Sequence, residues 1–139
     1  MTTLYYFAQA NNSLVLGTGN KVEDFGIGFF TKYGDGGVDV SPIADLLKTE
    51  VYTLGVELGI NKDILIAAPT DGLWGNEKTD EEQIGATYPE LEWAMQFDGD
   101  KNTLNERERE VLKIYTQFNR ANQHKMNAIP VCIIPKNLK

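Results

Sequence analysis

The sequence predicts an α/β domain, and three observations carry the prediction. Residues 2–9 set Leu4, Tyr5, Phe7 and Ala8 at helical spacing. Residues 13–16 form a short continuous apolar run ending at Gly17, the pattern of a strand buried on both faces of a parallel sheet. The turn Gly17-Thr18-Gly19-Asn20 then leads into a second helical stretch. Helix, buried strand and Gly-rich turn together make one half of a βαβ arrangement.

The remaining elements come in chain order. Asn11 and Asn12 stop the first helix. A short helix is expected over residues 22–30. The stretch 33–42 holds three glycines, two aspartates and a proline, and reads as loop. Residues 43–58 read as a helix with Leu46, Leu47, Val51, Leu54 and Leu58 on its apolar stripe. Asn61 caps a further short helix carrying Ile64 and Leu65. Residues 69–82, PTDGLWGNEKTDEE, form a long polar loop around Trp74. A short amphipathic helix spans 88–95. The longest helix spans 105–122, with Val111, Leu112, Tyr115 and Phe118 on one side and an acidic start that suits the helix dipole. The tail 128–135, AIPVCIIP, is an extended or edge segment between prolines. Only one or two strand candidates exist, fewer than a parallel sheet needs.

The 139 residues are expected to form one domain, and 42% of them are hydrophobic and 24% charged. A formal net charge of -7 argues against nucleic acid or an anionic membrane as the main partner, because both require basic surface. The single cysteine, Cys132, allows no disulfide within the chain and fits a reducing cytoplasm. Flanked by Val131 and Ile133, it reads as a small buried hydrophobe. No secretory signal is recognisable at residues 1–12, and no stretch approaches the ~18 apolar residues of a membrane span.

The chemistry concentrates in residues 17–39, GTGNKVEDFGIGFFTKYGDGGVD. A turn between strand and helix lies where open α/β sheets bind ligands, and a helix start favours phosphate. Glu23 and Asp24 come one turn later. Adjacent acids on a helix point about 100° apart, so one of the two faces a ligand such as magnesium. Lys32 stands between the aromatic pair Phe29-Phe30 and a Gly-rich turn, positioned to act as a point charge toward phosphate. His124-Lys125 is expected just past the longest helix. With one histidine in the chain, neither a zinc site nor a Ser–His triad is expected.

These residues resemble the synthetase domain of ammonia- or glutamine-dependent NAD synthetases. The resemblance covers essentially the whole chain. It rests on LVLGTGN (residues 14–20), FFTKYGDGGVD (29–39), the lysine after ADLL (Lys48), APT (68–70), DEEQIGATYPELE (80–92) and His124-Lys125. The motif FTKYGDGG is its most specific part.

The resemblance implies an adenine-nucleotide α-hydrolase-like, Rossmann-like three-layer sandwich, here lacking the N-terminal strands, in a homodimeric cytoplasmic enzyme. It implies adenylation of the deamido-NAD carboxylate with ATP and Mg2+, then displacement of AMP by ammonia to give NAD. Thr18, Lys48 and Thr70 would contact ATP, Glu23 would bind magnesium, and Lys32, Asp39, His124 and Lys125 would contact deamido-NAD. The run between GTGN and FTKYGD carries one extra residue compared with many members, so Asp24 remains the alternative metal ligand. The family's pyrophosphate loop, Ser-Gly-Gly-x-Asp-Ser, does not occur in the sequence. The expectation is therefore that residues 1–139 are the C-terminal part of one synthetase domain, inactive alone. Two alternatives stand beside it: a non-catalytic nucleotide-binding or dimerisation module that pairs with a separate N-terminal half, and another amidotransferase of the ATP-pyrophosphatase kind.

Overall fold

The computed structural model describes residues 1–70 and 78–139; of the loop expected over 69–82, residues 71–77 with Trp74 lie outside the described residues, whereas residues 80–82 begin a helix capped by Thr79. Helix α1 spans Thr2–Ala10 and a π helix spans Lys21–Ile27. Helices α2 (Lys48–Glu57), α3 (Lys62–Leu65), α4 (Asp80–Ile84), α5 (Tyr88–Gln96) and α6 (Glu106–Met126) come next.

The core lies where α5, α6 and the π helix meet, with α2 packed on α5. Val22, Ile27, Leu91 and Val111 are its fully buried side chains, and Phe29, Trp93, Leu112, Tyr115 and Phe118 close around them. Local chemistry sets the boundaries. Asn61, Thr79, Thr87 and Asn105 each accept a backbone N–H at a helix start, and at the last three a glutamate three residues on returns the bond. Arg107 then ties α6 to α5 by a two-pronged pair with Glu90, at 2.7 Å and 2.8 Å, and holds that carboxyl down at about 2.

Several expectations need correction. Residues 13–16 do run parallel to a neighbour, but among the described residues they make a single bridge, Leu16 to Val40. Val15 is buried, whereas Leu14 and Leu16 are 67% and 64% exposed. The strand is thus covered on one face, since no second layer of described residues lies over the other. A three-layer sandwich is not formed within them; what they supply is helices around one parallel bridge.

The helix expected from residue 43 starts at Lys48. The Leu46 carbonyl accepts the Lys21 N–H at 2.8 Å, which ties the preceding turn to the π helix instead of extending α2. Its stripe is covered only at one end: Leu47 packs on the core, whereas Leu54 and Leu58 are exposed. The helix expected to reach residue 30 ends at Ile27, because Gly28 turns left-handed at φ 63. His124 and Lys125 belong to the last turn of α6 rather than lying beyond it. Cys132 is exposed, in an extended tail where Val131 and Ile133 are 80% and 85% exposed. Its apolar neighbours suggested burial, but nothing packs on that segment among the described residues.

Replacing Leu91 by Ala should cost roughly 2–5 kcal/mol in chemical denaturation, the range for deleting a fully buried leucine side chain. Ile133→Ala, on the exposed tail, should stay within about 0.5 kcal/mol. Equal effects of the two would mean that the core is elsewhere.

Candidate functional site

The Gly-rich turn positions Asn20, and Asn20 organises the helix that begins there. Its side chain is buried, and its Oδ1 accepts the N–H groups of Val22 and Glu23 at 3.0 Å and 3.1 Å, starting the π helix. Its Nδ2 donates to Glu23 Oε2 at 2.5 Å. A π turn is wider than an α turn and is common at functional sites. Here it presents Glu23 toward α2 and α5.

Glu23 Oε1 accepts two further bonds, from Lys48 Nζ at 2.7 Å and from the Tyr88 hydroxyl at 2.6 Å. The Lys48 ammonium also lies 4.8 Å from the centre of the Tyr88 ring. Tyr88 is buried, and burial, then its bond to Glu23, pushes its phenol well above the usual range. It remains a hydrogen-bond donor at every physiological pH.

Asp24 points elsewhere, as expected of adjacent acids. Its carboxylate occupies the space beside Gly19, where a Cβ would come within 2.0 Å of Oδ2. Burial, then repulsion from Glu23 and Asp35, pushes the Asp24 carboxyl up to about 6.

Among the described residues no cluster of three or more metal-type side chains occurs. A divalent cation here would rest on one carboxylate and complete its shell with phosphate oxygens and water, which is the habit of magnesium. Glu23 fits that role: its side chain is 16% exposed, so the carboxylate is held in place yet reachable.

The second group of predicted residues meets on the other side of the π helix. Its C-terminal carbonyls need donors. Helix α6 provides them: Asn119 to Gly26 O at 2.7 Å, Asn122 to Ile27 O at 2.9 Å, and Lys125 to Gly28 O and Phe30 O at 2.9 Å and 2.8 Å. Gly28 is required twice over, by its positive φ and because a Cβ would lie 2.5 Å from Asn122 Cβ. Lys32 Nζ donates to the carbonyl oxygen of His124. Lys32 and Lys125 line one open cleft of about 500 Å³ with Tyr5, Tyr33, Gly36 and Gly37. Asp39 joins this side through Tyr5, whose hydroxyl donates to it at 3.2 Å, while Asp39 also accepts the Val15 N–H at 2.9 Å.

The predicted residues thus fall into two groups, Glu23 with Lys48 and Lys32 with Asp39, His124 and Lys125. Thr18 and Thr70 are exposed in loops, and neither bonds to Glu23 or Lys48. Sequence reasoning missed Asn20, Tyr88, Asn119, Asn122 and Glu92. Glu92 is buried and accepts both the Thr49 N–H at 3.0 Å and the Thr49 hydroxyl at 2.8 Å, fixing the start of α2 beside Lys48. The spacing of Asn119, Asn122 and Lys125 along one helical face was the signal available for that set.

The Gly-rich turn that leads into the π helix, with the lysine–carboxylate pair beside it, lies where open α/β folds place their ligands. The sequence matches the NAD synthase family over residues 1–129, and the chain belongs to that family. It is 43% identical over 140 aligned residues to the NH(3)-dependent NAD(+) synthetase of Syntrophomonas wolfei, covering 100% of this chain and 52% of that protein. It is 51% identical over 92 residues to the NH(3)-dependent NAD(+) synthetase of Archaeoglobus fulgidus, covering 66% of this chain and 36% of that protein. Its fold is similar to that of an NMN synthetase from Francisella tularensis, with a TM-score of 0.78 and 33% identity over 97% of this chain and 52% of the other. The chain spans about half the length of the curated relatives it matches over its full extent. No helix among the described residues is long and apolar enough to cross a membrane.

Glu92→Leu should destabilise the protein by about 1 kcal/mol, because the N–H and hydroxyl of Thr49, an exposed residue, exchange two bonds to the carboxylate for bonds to water. Hydrogen exchange should locate the loss at the first turn of α2. A loss spread evenly over α5 and α6 would contradict the clamp.

Proposed function

We propose that the chain is the C-terminal half of an NAD synthetase domain and supplies one wall of its active site. In the whole enzyme a carboxylate oxygen of deamido-NAD attacks the α-phosphorus of ATP, and pyrophosphate leaves. Ammonia then attacks the acyl carbon, AMP leaves, and loss of a proton gives the amide of NAD. The observation that carries the reading is the Glu23–Lys48 pair, set beside the Gly-rich turn of a chain that belongs to the NAD synthase family.

In this reading Lys48, with Thr18 and Thr70, binds ATP. Its ammonium stabilises charge on the phosphoryl oxygens. Glu23 would hold the magnesium ion, which would supply Lewis-acid polarisation, and Asn20 and Tyr88 fix its carboxylate. Lys32 and Lys125 give the cleft two positive charges, which suits the pyrophosphate of deamido-NAD; Asp39 and His124 complete that side. The working form in this reading is a cytoplasmic homodimer, and the name NH(3)-dependent carried by the relatives supports ammonia as the nitrogen source.

A second reading is favoured by one observation, the fold similarity to an NMN synthetase. In it the acid substrate is the mononucleotide. The chemistry at the carboxylate is the same, and only the far half of the ligand differs.

The sequence has no Ser-Gly-Gly-x-Asp-Ser loop to grip the pyrophosphate of ATP. The purified chain, given ATP, magnesium, ammonia and deamido-NAD, should form no NAD. Co-expression with the N-terminal half of the Syntrophomonas wolfei relative should restore turnover, and Lys48→Met should lower kcat/KM in that assembly by about 10²–10³-fold. Turnover by the chain alone would overturn the half-site reading. Faster turnover of the mononucleotide acid would select the second substrate.

A further inference from the structure

We propose that Lys48 is the resident counter-ion of Glu23 and is displaced when a divalent cation takes that carboxylate, so that metal binding is the event that frees the lysine for phosphate oxygens. The proposal rests on the metal role given to Glu23 above.

Both oxygens of Glu23 are already engaged: Oε2 by Asn20, Oε1 by Lys48 and Tyr88. An ammonium 2.7 Å from Oε1 and a divalent ion on the same carboxylate repel each other strongly. The two side chains are only 18% and 16% exposed, so water and salt screen this repulsion far less than at an open surface. One donor must therefore yield.

Asn20 cannot, because its other amide atom starts the π helix and the residue is buried. Tyr88 need not, because its phenol is uncharged and its hydroxyl also reaches Asp80 Oδ2 at 3.3 Å, so the cation does not repel it. Lys48 can: its ammonium sits on a flexible four-carbon stem. Its backbone stays in place meanwhile, because Glu92 pins the adjacent Thr49. The displacement is then a swing of one side chain, with α2 fixed.

The expected effect of removing the lysine has an unusual sign. Titration calorimetry with MnCl2 at one fixed pH should give Lys48→Met a Kd about tenfold tighter than the unaltered chain, within the usual range of coupling between two ligands. Lys48→Arg, which keeps the competing charge, should remain near the unaltered value, and Glu23→Gln should lose the tight site. Equal or weaker binding by Lys48→Met, with Glu23→Gln still impaired, would overturn the displacement. Unchanged binding by Glu23→Gln would instead overturn the metal role of Glu23 and the displacement with it.

A second measurement needs no variant of Lys48. In the unaltered chain the Lys48 Hε resonances should be shifted upfield by the Tyr88 ring and should move to positions typical of free lysine as MgCl2 is added. Resonances that stay in place at saturating metal would contradict the proposal.

Discussion

The structure depends on how the end of the π helix is satisfied. Three carbonyls, at Gly26, Ile27 and Gly28, point out of it with no helical partner. Asn119, Asn122 and Lys125 of α6 supply the donors. These bonds span more than ninety residues of sequence and join the Gly-rich run to the longest helix. They fix the rotation of the π helix, and that rotation decides which acid faces which way. Glu23 meets Lys48 and Tyr88, while Asp24 turns back onto Gly19.

The same constraint separates the two halves of the candidate site. On one side of the π helix lies a carboxylate with a cation, an amide and a phenol around it. On the other lie Lys32 and Lys125, both drawn in by backbone carbonyls and both lining one cleft. Lys125 therefore serves the fold and the cleft together, stapling the π helix while its charge stays at the cleft wall. A net charge of -7 does not prevent this, because Lys32 and Lys125 line the cleft while Asp39 is engaged by Tyr5 and the Val15 N–H, and acids more than a Debye length away, about 8–10 Å, are screened.

Much of this was legible in the sequence. The helices around residues 2–9, 88–95 and 105–122, the cap at Asn61, and the loop character of 33–42 come from short-range spacing and turn chemistry. The concentration of site residues in 17–39 was legible too, because glycines, acids and a lysine together serve no packing purpose. What could not be read was long-range. Nothing in KVEDFGI distinguishes a π helix from an α helix, since the widening is set by Asn20 at one end and α6 at the other. Glu92 looked like one acid in an acidic stretch, and its burial against Thr49 depends on α2 packing over α5. The strand 13–16 and Cys132 were read as buried because apolar runs usually are, but burial requires a covering layer, which these segments lack among the described residues.

The central claim is that α6 holds the π helix, and through it Glu23, in place. Hydrogen exchange on the Asn119→Ala, Asn122→Ala double variant tests it most directly. Removing two bonds worth about 1 kcal/mol each should speed exchange of the amides of residues 21–28 by about tenfold or more, while the amides of α5 keep their protection. Unchanged protection over 21–28 would contradict the claim.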